Sequence, residues 1–301
     1  MAHVSKELNK LCDLAVKLMS DIPVSPKKGS KRQIETTGLR SAPGGGGKSR
    51  AEFLDALSGE MTIMIHSVLF MVRGIADLFY AASHRNEDPN GVALVALLRH
   101  ALEAASIVHW LLDNQVDGNE RVRRYVIWRL NDLMHQRIIL DQIGADAPYA
   151  GEAKKGIQAE EDPLFRGIER AGWRIKDQPP KVWLLKEDDT REVVPAFSYL
   201  VTRLSDNKNL YKILSDAAHA SRSSIFNRLK TASETPDPNG KFEAQISSER
   251  IPNDHVIDLA VTAIAIPCID LGKWNHIESR ISYENLSRQV QAIYRRPAQG
   301  P

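Results

Sequence analysis

Residues 51–82 read AEFLDALSGEMTIMIHSVLFMVRGIADLFYAA, and this stretch decides the fold class. It contains no proline, and its large apolar residues return every three or four positions, which is the spacing of one face of an α-helix. The pattern predicts a long core helix that ends before the polar residues 83–90. The apolar residues of this stretch are Phe53, Leu54, Leu57, Met61, Met64, Ile65, Val68, Leu69, Val72, Ile75, Leu78 and Phe79.

The same helical spacing recurs along most of the chain. There is no series of alternating apolar and polar residues of strand length and no internal repeat, and the turns between the long helices are short. Short turns favour antiparallel neighbours. The sequence therefore predicts an all-α fold, a multi-helix bundle of long antiparallel helices. Besides 51–82, the predicted helices are 5–22, 92–113, 120–143, 192–204, 207–230, 253–273 and 283–294.

Composition divides the chain into three regions. Residues 1–22 are predicted to form an N-terminal amphipathic helix. Residues 23–50 are rich in Pro, Gly, Ser, Lys and Arg and include four successive glycines, which is typical of a flexible basic linker. Residues 51–296 are predicted to form the helical bundle domain, with residues 144–190 as an irregular insertion because Pro179 and Pro180 interrupt any helical pattern.

The net charge is only +2, but the charge is unevenly distributed. Residues 1–50 hold ten Lys and Arg against four Asp and Glu, so this segment alone carries +6. An exposed basic segment attracts phosphate groups. We therefore keep RNA as a candidate partner, with Lys27, Lys28, Lys31 and Arg32 as candidate nucleic-acid-binding residues.

The cysteine content and the apolar runs bear on location. Cys12 and Cys268 are the only cysteines, which fits a reducing compartment better than a disulfide framework. The longest apolar run, residues 259–269, is interrupted by Thr262 and Pro267 and is shorter than the roughly 20 residues that a membrane span needs. The sequence predicts a cytoplasmic protein that does not contact a membrane.

Two patterns that suggest a cofactor or a metal are weakened by their context. Residues 42–49 read APGGGGKS and formally resemble a phosphate-binding loop, but the polar residues 33–41 before them do not predict the buried strand that such a loop follows. The histidines on predicted helices lack the Glu-x-x-His step of di-metal bundles. We therefore predict no cofactor and no metal site.

Arg99 and Glu103 lie one turn apart on a predicted helix that is otherwise almost wholly apolar. Burying either charge alone costs several kcal/mol, so each needs a partner. One interpretation is an ion pair that braces the helices. The other is that both residues face Tyr211, Ser215 and His219 and form a polar pocket, in which Glu103 orients the imidazole.

The stretch 209–228 carries the second group of candidate residues. Lys212, Ser215, His219 and Arg222 recur at three- and four-residue steps and therefore share one face of the predicted helix 207–230. A histidine in such a position can exchange a proton near neutral pH. His219, with Lys212 and Arg222 beside it, is therefore the candidate catalytic residue.

Residues 210–221, LYKILSDAAHAS, resemble the signature segment of the HEPN superfamily, in which an arginine is followed four to six residues later by a histidine. With residues 98–105, LRHALEAA, the segment is also similar to bacterial helical proteins of unknown function. Where HEPN proteins are ribonucleases, the arginine and the histidine usually act across a homodimer on the scissile phosphate. The resemblance assigns the histidine role to His219, while Lys212 stands at the arginine position and cannot make the forked phosphate contact of a guanidinium.

Two functions remain as hypotheses. The first is a binding or interaction module with a buried polar pocket and an unidentified partner. The alternative is an HEPN-like, metal-independent ribonuclease that acts through His219, for which the resemblance implies a homodimer.

Overall fold

In the computed structural model, the described residues are 1–22, 25–43, 45–86, 91–143, 150–178, 181–185, 191–218, 229–231, 244–246, 253–275, 285, 288–291 and 293. Helices dominate these residues, and the strands are confined to two small antiparallel sheets. The prediction of an all-α fold is therefore confirmed.

The described helices follow one another along the chain with the two sheets between them. The helices are α1 Ala2–Ser20, α2 Lys31–Ser41, α3 Gly47–Arg85, α4 Gly91–Leu111, α5 Gly118–Ile143, α6 Ala150–Arg170, α7 Phe197–Ser205, α8 Leu210–Ala218 and α9 Asn253–Asn275. The first sheet has the order β1 Arg174–Gln178, β2 Lys181–Leu185 and β3 Arg191–Glu192. The second sheet pairs β4 Leu229–Thr231 with β5 Ala244–Ile246.

Helix α3 is the centre of the bundle and contacts α1, α2, α4, α5, α6 and α9. Its apolar residues return every three or four positions, so they line the faces that meet these neighbours. Leu54, Leu57, Met61, Ile65 and Val68 are completely buried. Burial of such side chains contributes roughly 1.5–3 kcal/mol each, which makes α3 the main source of core stability.

The prediction of a flexible linker at 23–50 is wrong for residues 31–41, because these residues form α2. The Ser30 hydroxyl accepts a hydrogen bond from the Gln33 amide at 3.1 Å and caps the N-terminus of the helix. Leu39 is buried, and so is Arg32, which is only 3% exposed. Helical periodicity of apolar residues missed α2 because its buried face is mainly polar.

Gly46 and Gly47 permit close packing of the backbone. A Cβ atom on Gly47 would lie 2.1 Å from the Leu39 carbonyl oxygen, and one on Gly46 would lie 2.7 Å from that of Ala171. Only glycine tolerates such an approach without displacing the chain. The segment before these glycines is the helix α2 and not a strand, which agrees with the argument against a phosphate-binding loop.

The prediction of an irregular insertion at 144–190 is wrong for residues 150–170, which form α6. Ile157, Leu164 and Ile168 are buried, and α6 packs against α5, where Arg137 pairs with the buried Glu161. Residues 181–185 of this region form strand β2. Residues 174–178 form β1, and residues 144–149, 179–180 and 186–190 lie outside the described residues.

The prediction of a cytoplasmic location is also wrong. Among the described residues, three helices are long and apolar enough to cross a membrane: Gly47–Arg85, Ala93–Leu111 and Asn253–Asn275. The prediction depended on the length of unbroken apolar runs, whereas a span tolerates isolated polar residues if its average hydropathy is high. Length and composition therefore contradict the expected absence of membrane contact.

Candidate functional site

Three of the predicted site residues meet between α4 and α8. Arg99 Nε donates to Glu103 Oε1 at 2.8 Å, along one turn of α4. Arg99 Nη2 donates to the Tyr211 hydroxyl of α8 at 3.4 Å. The Tyr211 hydroxyl in turn donates to Glu103 Oε1 at 3.1 Å. Each side chain thus contacts the other two, and we call Arg99, Glu103 and Tyr211 the α4–α8 cluster.

The position of Tyr211 follows from how α8 begins. The Asn207 side chain accepts a hydrogen bond from the Asn209 amide at 3.1 Å, which favours the turn before the helix. Leu210 and Leu214 are buried, one turn apart, and hold α8 against the bundle. Tyr211 follows Leu210 directly, so it lies at the edge of this contact, where its hydroxyl reaches α4.

The α4–α8 cluster is shielded from water without being sealed. The side chains of Arg99 and Glu103 are 14% and 16% exposed. Burial raises the pKa of Tyr211, and the neighbouring Glu103 carboxylate raises it further. The hydroxyl therefore keeps its proton at neutral pH and can donate it to the carboxylate.

Aromatic rings extend the α4–α8 cluster toward the surface. The Arg99 guanidinium lies 5.6 Å from the centroid of the Tyr211 ring, which is within the range of a cation–π contact. Phe197 of α7 stacks on Tyr211 with ring centroids 6.5 Å apart. Phe197 is 41% exposed and Tyr199 is 54% exposed. The cluster thus connects a partly buried ion pair to an exposed aromatic surface.

The structure does not bring all the predicted site residues together. Ser215 is half-buried on α8, one turn after Tyr211, whereas Lys212 is exposed to solvent. His219 and Arg222 lie outside the described residues. The contact between Glu103 and His219 therefore stays a prediction.

The candidate nucleic-acid-binding residues divide into two pairs. Lys27 and Lys28 are exposed. Lys31 Nζ instead donates to the carbonyl oxygens of Asn114 at 2.6 Å and of Val116 at 3.3 Å, and burial lowers its pKa.

The buried Arg32 donates to the Asp55 carboxylate at 3.2 Å. Both residues of α2 serve contacts inside the fold. Arg32 is buried and is therefore not part of a solvated basic arm, whereas the Lys31 side chain is 32% exposed. Lys27, Lys28 and part of the Lys31 side chain are exposed to solvent, and the role of this set in binding nucleic acid stays a prediction.

A second polar network, which the sequence did not predict, is buried around Glu35 of α2. Arg121 of α5 is completely buried, and its Nε donates to Glu35 Oε2 at 3.1 Å. The same guanidinium donates to the carbonyl oxygens of Leu111 at 2.7 Å and of Asp113 at 3.0 Å, which satisfies the C-terminus of α4. Trp274 Nε1 donates to Glu35 Oε2 at 2.9 Å.

Two guanidinium groups enclose the indole ring of this network. The Cζ atoms of Arg32 and Arg121 lie 5.7 Å and 5.6 Å from the Trp274 ring centroid. The residues come from α2, α5 and α9, so no local spacing connects them in the sequence. The one feature of the sequence that could have indicated this network is a charged residue inside an apolar helical pattern, as at Arg121 in the predicted helix 120–143.

A histidine and a carboxylate form a further contact, between α4 and α9. His109 Nδ1 lies 2.7 Å from Asp270 Oδ2, and the two side chains are 27% and 11% exposed. Across the described part of the chain, no three His, Cys, Asp or Glu residues are grouped so as to hold a metal ion. The contact between His109 and Asp270 is thus an ordinary pairing that links two helices.

No protein-family model matches the chain, and neither a curated protein nor a solved structure matches it. The resemblance to HEPN proteins therefore stays a prediction, and the functional argument depends on the geometry of the site.

Proposed function

We propose that this protein is an interaction module in which the α4–α8 cluster holds α7 and α8 on α4 and so maintains a partner-binding surface beside it. The observation that carries the proposal is the mutual hydrogen bonding of Arg99, Glu103 and Tyr211. A partly buried charge is costly unless it is hydrogen-bonded, and here each of the three side chains has hydrogen-bond partners inside the cluster.

The hydrogen bonds of Arg99 favour a structural role in joining the helices over a role in phosphate cleavage. Arg99 directs Nε to Glu103 and Nη2 to Tyr211. A guanidinium that stabilises a scissile phosphate must present its donors to the substrate. In this cluster Nε instead pairs within α4, and Nη2 crosses to Tyr211 on α8.

The surface next to the cluster has the composition of a protein-binding site. Leu200, Val201 and Leu204 of α7 are buried, whereas Phe197 and Tyr199 on the same helix are exposed. Aromatic residues are enriched in protein interfaces, where they supply much of the binding energy. A protein partner that covers these two rings is the class of ligand that the surface fits.

Site-specific photo-crosslinking in cells tests this function. A benzophenone amino acid at Tyr199 is expected to form one discrete protein adduct. The same group at Ile34 of α2, which is 61% exposed and far along the chain, is the matched control and is expected to form none. A weaker Tyr199 adduct in Glu103→Ala would show that the binding surface depends on the α4–α8 cluster. Equal adducts at Tyr199 and Ile34 would contradict the proposal.

A cleavage assay separates the module from the ribonuclease alternative. The interaction module is expected to leave labelled single-stranded RNA intact, with and without a chelator. Cleavage that survives the chelator and is lost in His219→Ala would replace the proposal by HEPN-like catalysis. The protein could instead bind RNA without cleaving it. If that binding weakens steeply with salt and is lost in the Lys27→Ala, Lys28→Ala double variant, RNA binding would be assigned to the turn that carries these two lysines.

A further inference from the structure

One face of α3 is apolar and exposed although α3 is the central helix. Phe70 is 74% exposed and Ile63 is 63% exposed. Ala56, Gly59 and Ser67 are also exposed and lie on the same side of the helix. We call these five residues the α3 stripe. The stripe carries no carboxylate, ammonium or guanidinium group, although the exposed His66 lies along its edge. Only 39% of the most apolar stretch of α3 is buried.

The spacing of the α3 stripe is the same in both directions. From Ala56 the steps are three, four, four and three residues, so the stripe is symmetric about Ile63. A two-fold contact between identical helices requires such symmetry, because each residue meets the residue equally far on the other side of the centre. In an antiparallel pair, Phe70 then faces Ala56, Ser67 lies beside Gly59, and Ile63 faces Ile63.

We propose that α3 pairs antiparallel with α3 of a second copy of this chain, with the two-fold axis at Ile63. The sizes of the residues are complementary in this arrangement. The ring of Phe70 lies over the small side chain of Ala56 in the second copy, and Gly59 leaves room for its neighbours. Alternation of large and small residues across a contact is what allows two helices to approach closely.

The charges beyond both ends of the stripe support the same pairing. Lys48 and Glu52 precede the stripe, Arg73 and Asp77 follow it, and all four side chains are exposed. Reversal of the second helix brings Lys48 opposite Asp77 and Glu52 opposite Arg73, within one residue of the symmetric positions. Arg73 already contacts Asp13 at 2.7 Å, and its position at the surface lets it also meet Glu52.

The same charges disfavour the other occupants of this surface. In a parallel pair, each of the four residues would face its own copy, and like charges repel. A lipid bilayer would cover the stripe and leave the flanking charges at its two interfaces, but it would not use their opposite signs. A second antiparallel copy is therefore the partner that satisfies both the stripe and its ends. This surface is separate from the one proposed beside the α4–α8 cluster.

Crosslinking through a single new cysteine tests the two-fold axis. Ile63→Cys places two thiols opposite each other, so mild oxidation of the full-length protein is expected to form a disulfide-linked dimer. Tyr80→Cys is the matched control, because Tyr80 is 53% exposed on α3 but lies outside the stripe. The native Cys12 and Cys268 are buried and do not compete.

A charge-exchange series tests the contact between Phe70 and Ala56. We expect a dimer by light scattering for the wild type and at least about a tenfold weaker dimer for Phe70→Glu. Ala56→Lys combined with Phe70→Glu is expected to restore the dimer, because each new lysine then faces a new glutamate. Tyr80→Glu is expected to leave the dimer unchanged. Since Phe70 is exposed, circular dichroism should show the same helix content in all variants.

Three results would overturn the proposal. One is a monomer that floats with phosphatidylcholine vesicles and loses flotation in Phe70→Glu, which would assign the stripe to lipid. Another is an Ile63→Cys thiol that neither crosslinks nor reacts with maleimide, which would show that the chain covers its own stripe. The third is crosslinking of Tyr80→Cys as efficient as that of Ile63→Cys.

Discussion

At the scale of residues, the α4–α8 cluster shows how ionisable groups are accommodated in an apolar helix. Arg99 and Glu103 pair along one turn of α4, and Tyr211 satisfies both from α8. Breaking a buried pair leaves an uncompensated charge, so its removal costs more than the net energy that the pair contributes. The cluster should therefore be sensitive to truncation at any of its members.

Glu103→Ala is expected to lower the free energy of unfolding by about 2 kcal/mol, because Arg99 loses its carboxylate in a site that is mostly shielded. Tyr211→Phe removes only the hydroxyl and is expected to cost about 1 kcal/mol. Urea denaturation followed by circular dichroism measures both. Lys212→Ala, at an exposed position of α8, is the control and should change little, and a stable Glu103→Ala variant would contradict the bracing role.

The ionisation of Tyr125 should make the free energy of unfolding depend on pH. Burial raises the pKa of this residue from 10.0 to about 12, and the Glu60 carboxylate adds to the shift. Above pH 10 the unfolded chain loses the phenolic proton while the folded chain keeps it. The contribution of Tyr125 to stability should therefore be constant below this pH and fall between pH 10 and about 12. In Tyr125→Phe the fall should be smaller by up to about 2 kcal/mol. Denaturation curves of both proteins at several alkaline pH values measure the difference, and identical slopes would exclude this contribution.

At the scale of elements, α2 shows that a helix can be held by polar contacts and close backbone approach. Its buried face carries Arg32, Thr36 and Leu39, and only one of these is apolar. Glu35 joins it to Arg121 and Trp274, and Gly47 lets α3 begin against the end of α2. The helix is therefore part of the bundle, although its composition is typical of a linker.

Gly47→Ala is expected to destabilise the protein by about 1–3 kcal/mol, because the new methyl group collides with the Leu39 carbonyl oxygen and the backbone must move. Gly156→Ala in α6 is the matched control. A Cβ atom there meets no other group within 4 Å, so the substitution should stabilise the helix by about 0.5–1 kcal/mol. Thermal denaturation measures both changes, and equal effects would show that Gly47 is not needed for packing.

Arg121→Met tests the buried network that joins α2, α5 and α9. The substitution removes the partner of Glu35 and the donors to the C-terminus of α4, so a loss of about 3 kcal/mol or more is expected. Arg123→Met at the surface of α5, where the guanidinium contacts Glu120, should cost less than about 1 kcal/mol. Comparable losses in the two variants would contradict a special role for Arg121.

At the scale of the whole molecule, hydropathy and packing act on the same helices. Helices α3, α4 and α9 are long and apolar enough to cross a membrane, and they also supply much of the buried core. Cell fractionation tests which environment they meet. Retention of the full-length chain after alkaline carbonate extraction would show that at least one of these helices is inserted, and complete release would show that none is.

The sequence by itself determined the fold class and most of the long helices, because the apolar periodicity of residues such as Leu54, Leu57 and Met61 is a local signal. It also indicated that Arg99 and Glu103 need a partner, because an isolated charge in an apolar helix is unfavourable. Tertiary structure alone decided that α2 belongs to the core and that Glu35, Arg121 and Trp274 meet. These contacts join distant segments through polar groups, and polar contacts leave no periodic pattern along the chain.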